Sequence, residues 1–491
     1  MNPQVLLEMV AGAAADRRAV GSLSFGDLLA EVEAVAGGLA GLGVSHVGFV
    51  DEYSESLPVL FYAAQRAGLP FVPLNYRLAD DALREALARI APAVVVVGEQ
   101  QRARCAGVPG ITLLSADELP RAAAPDTVDG DVSVLLFTSG TSGEPKAAVL
   151  RPQHLSSYVL STVEFLGAGE DEAQLVAVPP YHIAGISTVL TSLYAGRRIV
   201  VLPSFTAQAW VDRVAAESVT HAMVVPTMLG RILDVLVERG ESLPSLRHLS
   251  YGGGRMPAPV VERALRLLPH VDLVNAYGLT ETSSTIAVLG PQDHRDAVAA
   301  DDPAVRARLG SVGKPLPTVE IEIRDEAGHA LPAGEAGEIV VRGEQVSGEY
   351  LSHTAVDADG WFPTRDRGHL DADGYLFLDG RADDVIVRGG ENLSPGEIED
   401  VLLAHPSVAD VIVLGMPDVE WGEVPVAAVV PTGLVLDEPL FETELRAFVR
   451  KRLRSAKTPA RVHVRDTLPH TDTGKPLRRV LRAELNTTRV A

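Results

Sequence analysis

The sequence predicts an α/β protein: a large N-terminal domain of parallel-rich sheets with helices, a β-rich subdomain attached to it, and a small α+β C-terminal domain. Three observations predict this. Strand and helix signals alternate through the first hundred residues, short alternating segments between Gly/Pro turns take over after about Leu309, and helix–strand alternation resumes from Asp384. Repeated alternation of this kind builds parallel sheets covered by helices. The 491 residues suit two to four domains at roughly 100–200 residues each.

Each element has a local cause. Ser24 caps a helix in which Leu28, Val32, Val35 and Leu39 recur at helical spacing, ended by Gly41 and Gly43. His46–Val50 reads as a strand, 56–68 as a helix with Pro58 in its first turn, and Phe71–Leu74 as a strand. Ala93–Val97 is a short apolar run between Pro92 and Gly98, as expected of a strand buried on both faces. Val319–Ile323 and Gly337–Arg342 read as antiparallel strands. Beyond them, 397–403 and 442–453 read as helices and 409–414 as a strand. The Gly380–Asp384 turn divides a 1–380 domain from a 381–491 domain.

Composition excludes several functions. Lys and Arg number 43 against 65 Asp and Glu, a formal charge of −22, and both nucleic acids and anionic membranes demand a basic face. A polyanionic ligand must therefore be held by a local cluster of cations and backbone N–H groups. The single Cys105 excludes an intrachain disulfide and a cysteine zinc site, and reads as a small buried hydrophobe. The N-terminus lacks a basic leader, Glu8 and 16–18 interrupt its apolar residues, and no stretch reaches the ~18 apolar residues of a membrane span. A cytoplasmic protein is the expectation.

The strongest local feature is Leu135-Leu-Phe-Thr-Ser-Gly-Thr-Ser-Gly-Glu-Pro-Lys-Ala147. An apolar strand runs into hydroxyls and glycines, then a lysine. Gly140 and Gly143 let successive N–H groups converge on one anion, Thr138, Ser139, Thr141 and Ser142 add hydroxyl donors, and Lys146 supplies charge. The Gly-Lys-Ser/Thr of a Walker A loop is absent.

This stretch resembles the phosphate loop of the adenylate-forming superfamily of acyl-CoA synthetases, aryl-CoA ligases, luciferases and peptide-synthetase adenylation domains. Further matches follow in the family's order: Pro179-Pro-Tyr-His-Ile-Ala-Gly185, Tyr251-Gly-Gly-Gly254, Asn275-Ala-Tyr-Gly-Leu-Thr-Glu-Thr-Ser283, Gly360-Trp-Phe-Pro-Thr-Arg-Asp-Arg-Gly368, 380–392 and Leu468-Pro-His-Thr-Asp-Thr-Gly-Lys475. The resemblance implies an ATP-dependent acid:CoA ligase. A carboxylate attacks the α-phosphate of ATP to give acyl-AMP and pyrophosphate, and a thiol then displaces AMP, steps that depend on positioning and charge neutralisation.

The resemblance also assigns roles. Thr280 and Glu281 fall to the α-phosphate and Mg²⁺, a hard cation suited to carboxylate oxygen. Asp366 falls to the ribose hydroxyls with Arg381 beside it, Gly252 and Gly253 to the adenine face, and Asn275, Ala276, Tyr277 and Gly278 to the nucleotide site. Lys475 would bridge the substrate carboxylate and the α-phosphate. The C-terminal domain would be mobile, rotating about Asp383 to withdraw Lys475 and bring in Arg388, Gly389 and Gly390 for CoA, with Trp421 lining the same route. The basic residues between Arg450 and Arg461 read either as a CoA-phosphate patch or as a solvated helix face.

His182, Ile183, Gly185, Thr227, Met228 and Tyr251 fall to the acyl pocket. Tyr181–Ile186 holds no acidic residue to pair a substrate amine, which points to an apolar acid without an α-amine. Expected partners are that acid, ATP and CoA. A carrier protein acting in trans as acceptor, a single retained half-reaction and a homodimer stay open, while a non-enzymatic nucleotide sensor is disfavoured by the presence of Lys475, Asp366 and Glu281. Two details depart from pattern: Ala147 replaces the glycine that usually follows the lysine, and Asp371-Ala-Asp-Gly374 resembles the start of a calcium loop but reads as a turn.

Overall fold

The computed structural model describes residues 1–124, 126–138, 146–381, 384–389, 391–453, 455–471, 474 and 476–488. Among these residues the chain forms four sheets. An eight-stranded sheet includes His46–Val50, Phe71–Pro73, Ala93–Val97 and Ile111–Leu114, all parallel, continues through the antiparallel pair Val134–Thr138 and Lys146–Leu150, and ends in the short strands Glu349–Tyr350 and His353–Thr354. A nine-stranded sheet carries the parallel set Ala173–Val176, Arg198–Val201, His221–Val224, His248–Gly252 and Asp272–Leu279.

The expected early elements form where the residues place them. Ser24 caps the helix Phe25–Ala40 through a reciprocal box with Asp27, and Gly41 is its C-cap. The strand Ala93–Val97 is buried at every residue. Apolar side chains of this helix, of Pro3–Ala13, Ser56–Arg66, Pro152–Thr162 and Ile183–Tyr194, and of strands from both large sheets share one core. Helices Ala207–Ala216, Pro226–Arg239 and Ala258–Leu267 cover the other face of the nine-stranded sheet. Cys105 is buried on the outer side of the eight-stranded sheet.

After Leu309 the antiparallel segments appear as expected: Val319–Arg324, Gly337–Gly343, Phe362–Leu370 and Leu376–Arg381 form a four-stranded sheet with its own core. Asp371 closes the turn between the last two by accepting the N–H groups of Asp373 and Tyr375, so the calcium-like segment is a turn. Arg381 ends the last strand, opposite Asp366, and so belongs to this sheet. Ile386 opens the next sheet, built around the long antiparallel pair Val408–Asp418 and Gly422–Pro431. Helices Pro395–Leu403 and Glu438–Arg450 pack on one face of it and Arg478–Thr488 on the other. The second of these helices starts earlier than expected because Asp437 caps it and Pro439 occupies its first turn. The proposed hinge Asp383 lies outside the described residues.

Candidate active site

Four parallel strands of the nine-stranded sheet end at one edge, and the motifs continue from those ends. Ala173–Val176 leads to His182, His221–Val224 to Thr227, His248–Gly252 to Gly253 and Asp272–Leu279 to Glu281. Residues distant in sequence meet there because the carboxyl edge of an open α/β sheet is where such folds bind ligands. Close backbone approach explains two of the glycines. A Cβ at Gly252 would collide with the Ala276 carbonyl, and one at Gly278 with that of Ser284.

Glu281 sits in a single turn of 3₁₀ helix, Thr280–Thr282, and is buried. Its Oε1 accepts the hydroxyl of Tyr350 at 2.6 Å. Burial, then the Glu281 charge, pushes the Tyr350 phenol up, so it remains a neutral donor. The Glu281 carbonyl accepts the N–H groups of Ser347 and Gly348 at 2.8 and 3.1 Å. Lys146 Nζ stands 5.5 Å over the Tyr350 ring, so the lysine of the glycine-rich segment and Glu281 share Tyr350 as a neighbour. A Mg²⁺ that keeps its waters and phosphate ligands needs only one or two protein carboxylates. Glu281 is a carboxylate of that kind, with Oε1 engaged by Tyr350.

Asp366 is clamped from two sides. Tyr277 donates its hydroxyl to Oδ2 at 2.7 Å, and Arg381 Nε donates to Oδ1 at 3.0 Å. Burial, then the Asp366 charge, keeps the Tyr277 phenol protonated. Non-glycine residues with positive φ cluster here: Ser283 (56°) and Ser284 (113°) follow Glu281, and Arg365 (63°) precedes Asp366. Such conformations cost free energy and concentrate at functional sites.

The acyl-side residues divide. His182 is half-buried beside Tyr181, with ring centroids 4.7 Å apart, and it begins the helix Ile183–Tyr194. A Cβ at Gly185 would lie 2.9 Å from the Pro179 carbonyl, so the helix start packs against the Pro-Pro segment. Thr227 is exposed and Met228 buried at the start of Pro226–Arg239. Tyr251 sits elsewhere: it is fully buried and its hydroxyl pairs with His294 Nε2 at 2.8 Å. Asn275 likewise uses its amide internally, donating to the Ser311 carbonyl at 3.0 Å. Ala147 lies in the strand after the glycine-rich segment with its methyl buried, paired with Phe137. Thr138 donates to the Lys146 carbonyl at 3.3 Å; Ser139, Gly140, Thr141, Ser142 and Gly143 lie outside the described residues.

The C-terminal domain reaches the same edge. His470 and Pro476 pair across a tight loop, and a Cβ at Gly474 would stand 2.7 Å from Thr227 Oγ1. Gly474 immediately precedes Lys475, which lies outside the described residues, as does Gly390. Gly389 has φ 58°, donates its N–H to the Trp421 carbonyl at 2.7 Å, and faces the indole. Trp421 is 42% exposed, so it is not a core tryptophan. Arg388 lies 5.0 Å from its ring and lines a cavity of about 290 Å³ with Arg446, Arg450 and Thr458. Lys457 of the basic run pairs instead with Glu397. Tyr350 is the residue that sequence reasoning missed. Its contact spans 69 residues and no local pattern announces it.

The AMP-binding enzyme family model matches residues 7–351, and the model of the AMP-binding enzyme C-terminal domain matches residues 397–475. The indoleacetate–CoA ligase of Aromatoleum aromaticum is 32% identical over 482 residues, covering 92% of this chain and 91% of that protein. The feruloyl-CoA synthase of an Amycolatopsis species is 34% identical over 476 residues, covering 93% of each. Among solved structures, the o-succinylbenzoate CoA synthetase of Bacillus subtilis in complex with the acyl-adenylate OSB-AMP superposes with a TM-score of 0.83 at 29% identity, covering 97% of both chains. The same synthetase has also been solved with ATP and magnesium ion. The chain belongs to the AMP-binding enzyme family, in the acyl-CoA synthetase branch of the adenylate-forming superfamily.

Proposed function

We propose that the chain is an ATP-dependent ligase that joins an aromatic carboxylic acid lacking an α-amine to the thiol of CoA. The carrying observation is the buried Glu281, held by the Tyr350 hydroxyl while Lys146 stands over the same ring, at the carboxyl edge where the acyl and nucleotide segments converge. In the first half-reaction a carboxylate oxygen of the acid attacks the α-phosphorus of ATP, the P–O bond to pyrophosphate breaks, and acyl-AMP forms. In the second the thiolate attacks the acyl carbonyl and AMP leaves. Glu281 and Thr280 would hold Mg²⁺, which supplies neutralisation of phosphate charge. Asp366, fixed by Tyr277 and Arg381, holds the ribose and fixes the α-phosphate in line with the acid.

The aromatic class draws support from relatives named for indoleacetate, ferulate and 2-succinylbenzoate, and from the Tyr181–Ile186 segment, which offers no acid for an amine. CoA use draws support from the same names and from the exposed Trp421, packed against Gly389. Rotation of the C-terminal domain about Asp383 would exchange Lys475 for Gly389 and Trp421 between the half-reactions. Mass spectrometry of the protein incubated with ATP, Mg²⁺, CoA and a panel of aryl, arylalkanoic and fatty acids tests this reading. Aromatic acyl-CoA with equimolar AMP is expected, whereas acyl-AMP without thioester, or preference for fatty acids, would overturn it.

A further inference from the structure

Among the described residues, two contacts tie the C-terminal domain to the nucleotide edge. One is Gly474 on Thr227. The other involves Arg255, which directly follows the Gly252–Gly254 segment and donates through Nη2 to Asp400 Oδ2 on the helix Pro395–Leu403. Gly396 lies one turn before Asp400 on the same face, and a Cβ there would collide with Arg255 Nη1. The guanidinium therefore occupies the space a side chain at Gly396 would take, and any larger residue there would displace it.

The charges around Asp400 make the contact distinctive. Glu397 is neutralised by Lys457 and Glu399 by Arg478, at 2.6 Å in the latter case, both within the C-terminal domain. Asp400 instead takes its counter-charge from across the interface. Separation of the domains would leave Asp400 without this partner.

We propose that the Arg255–Asp400 pair is an interdomain latch, which holds the C-terminal domain in the arrangement that seats Gly474 on Thr227 and thereby favours acyl-AMP formation over thioester formation. This rests on the reading that the domain moves between the two half-reactions. Each partner is 39% exposed, and a pair that open to water biases an equilibrium by roughly fivefold at most. A latch that must open every turnover can be no stronger without trapping the enzyme. Arg255 and Asp400 are thus positioning residues; neither touches the reacting atoms.

Charge reversal tests the latch. Arg255→Asp and Asp400→Arg are each expected to slow pyrophosphate release from ATP and acid about fivefold, and to leave thioester formation from supplied acyl-AMP and CoA unchanged or faster. The double reversal should recover most of the loss. Dyes on cysteines placed at the exposed Val237 and Leu436 report domain separation independently of the acceptor: each single reversal should lower the compact population with ATP bound, and the double should restore it. Parallel loss of both half-reactions, or a double no better than its singles, would overturn the latch. Dye separations that follow the reversals in a protein that forms no thioester would uphold the latch and overturn the ligase reading instead.

Discussion

Tyr350 donates its hydroxyl to the Glu281 carboxylate at 2.6 Å across 69 residues of chain. The bond joins the 3₁₀ turn after the strand Asp272–Leu279 to the short strand Glu349–Tyr350, itself paired with Lys146–Leu150 of the other large sheet. One side chain thereby sets the position of the glycine-rich segment's exit relative to the acidic residue proposed to hold Mg²⁺.

Tyr350→Phe removes that donor and leaves a buried carboxylate oxygen unpaired, a loss worth about 1–3 kcal/mol. Pyrophosphate release should fall roughly tenfold, with a raised Mg²⁺ requirement. Titration of the first half-reaction with Mg²⁺ checks this, and an unchanged profile would remove Tyr350 from the site.

Gly389→Leu should separate the half-reactions in the opposite sense to loss of Lys475. A Cβ at Gly389 would stand 3.0 Å from Trp421 Cε3, and φ 58° costs a side-chain-bearing residue about 1–2 kcal/mol. Thioester formation from supplied acyl-AMP should fall at least tenfold while acyl-AMP formation persists. Stopped-flow measurement of the two steps checks the split.

His154 gives the fold an acid-sensitive side. Its Nδ1 accepts the Arg151 N–H at 3.2 Å, and burial, then the Arg151 charge, brings its pKa down from 6.5 to about 4. Between those values the unfolded chain binds more protons than the folded one, so stability is lost as pH falls through that window, by at most about 3 kcal/mol for this group. His221, which burial and Arg197 depress to about 3, acts in the same direction. Melting temperatures from pH 8 to 4 should drop below pH 6.5, and His154→Asn should flatten the drop.

The elements legible in the sequence were those with local causes. The Ser24–Asp27 box sets a helix start by capping, and the run Ala93–Val97 declares a strand by being apolar at every position. Gly252 and Gly278 were legible because each answers a close approach, to the carbonyls of Ala276 and Ser284. What stayed hidden was side-chain direction and long-range pairing. Tyr251 sits among motif residues yet turns into the core to reach His294, and Asn275 spends its amide on Ser311. Tyr350 on Glu281 and Arg255 on Asp400 depend on elements brought together only by the complete fold.

The central claim is that one edge serves two half-reactions with different parts of the C-terminal domain. The most direct measurement is the rate of each half-reaction in Lys475→Ala. Loss of a preorganised cation costs roughly 3–4 kcal/mol, so acyl-AMP formation should drop by at least a hundredfold while thioester formation from supplied acyl-AMP and CoA continues near the wild-type rate. Equal loss of both steps would contradict the account.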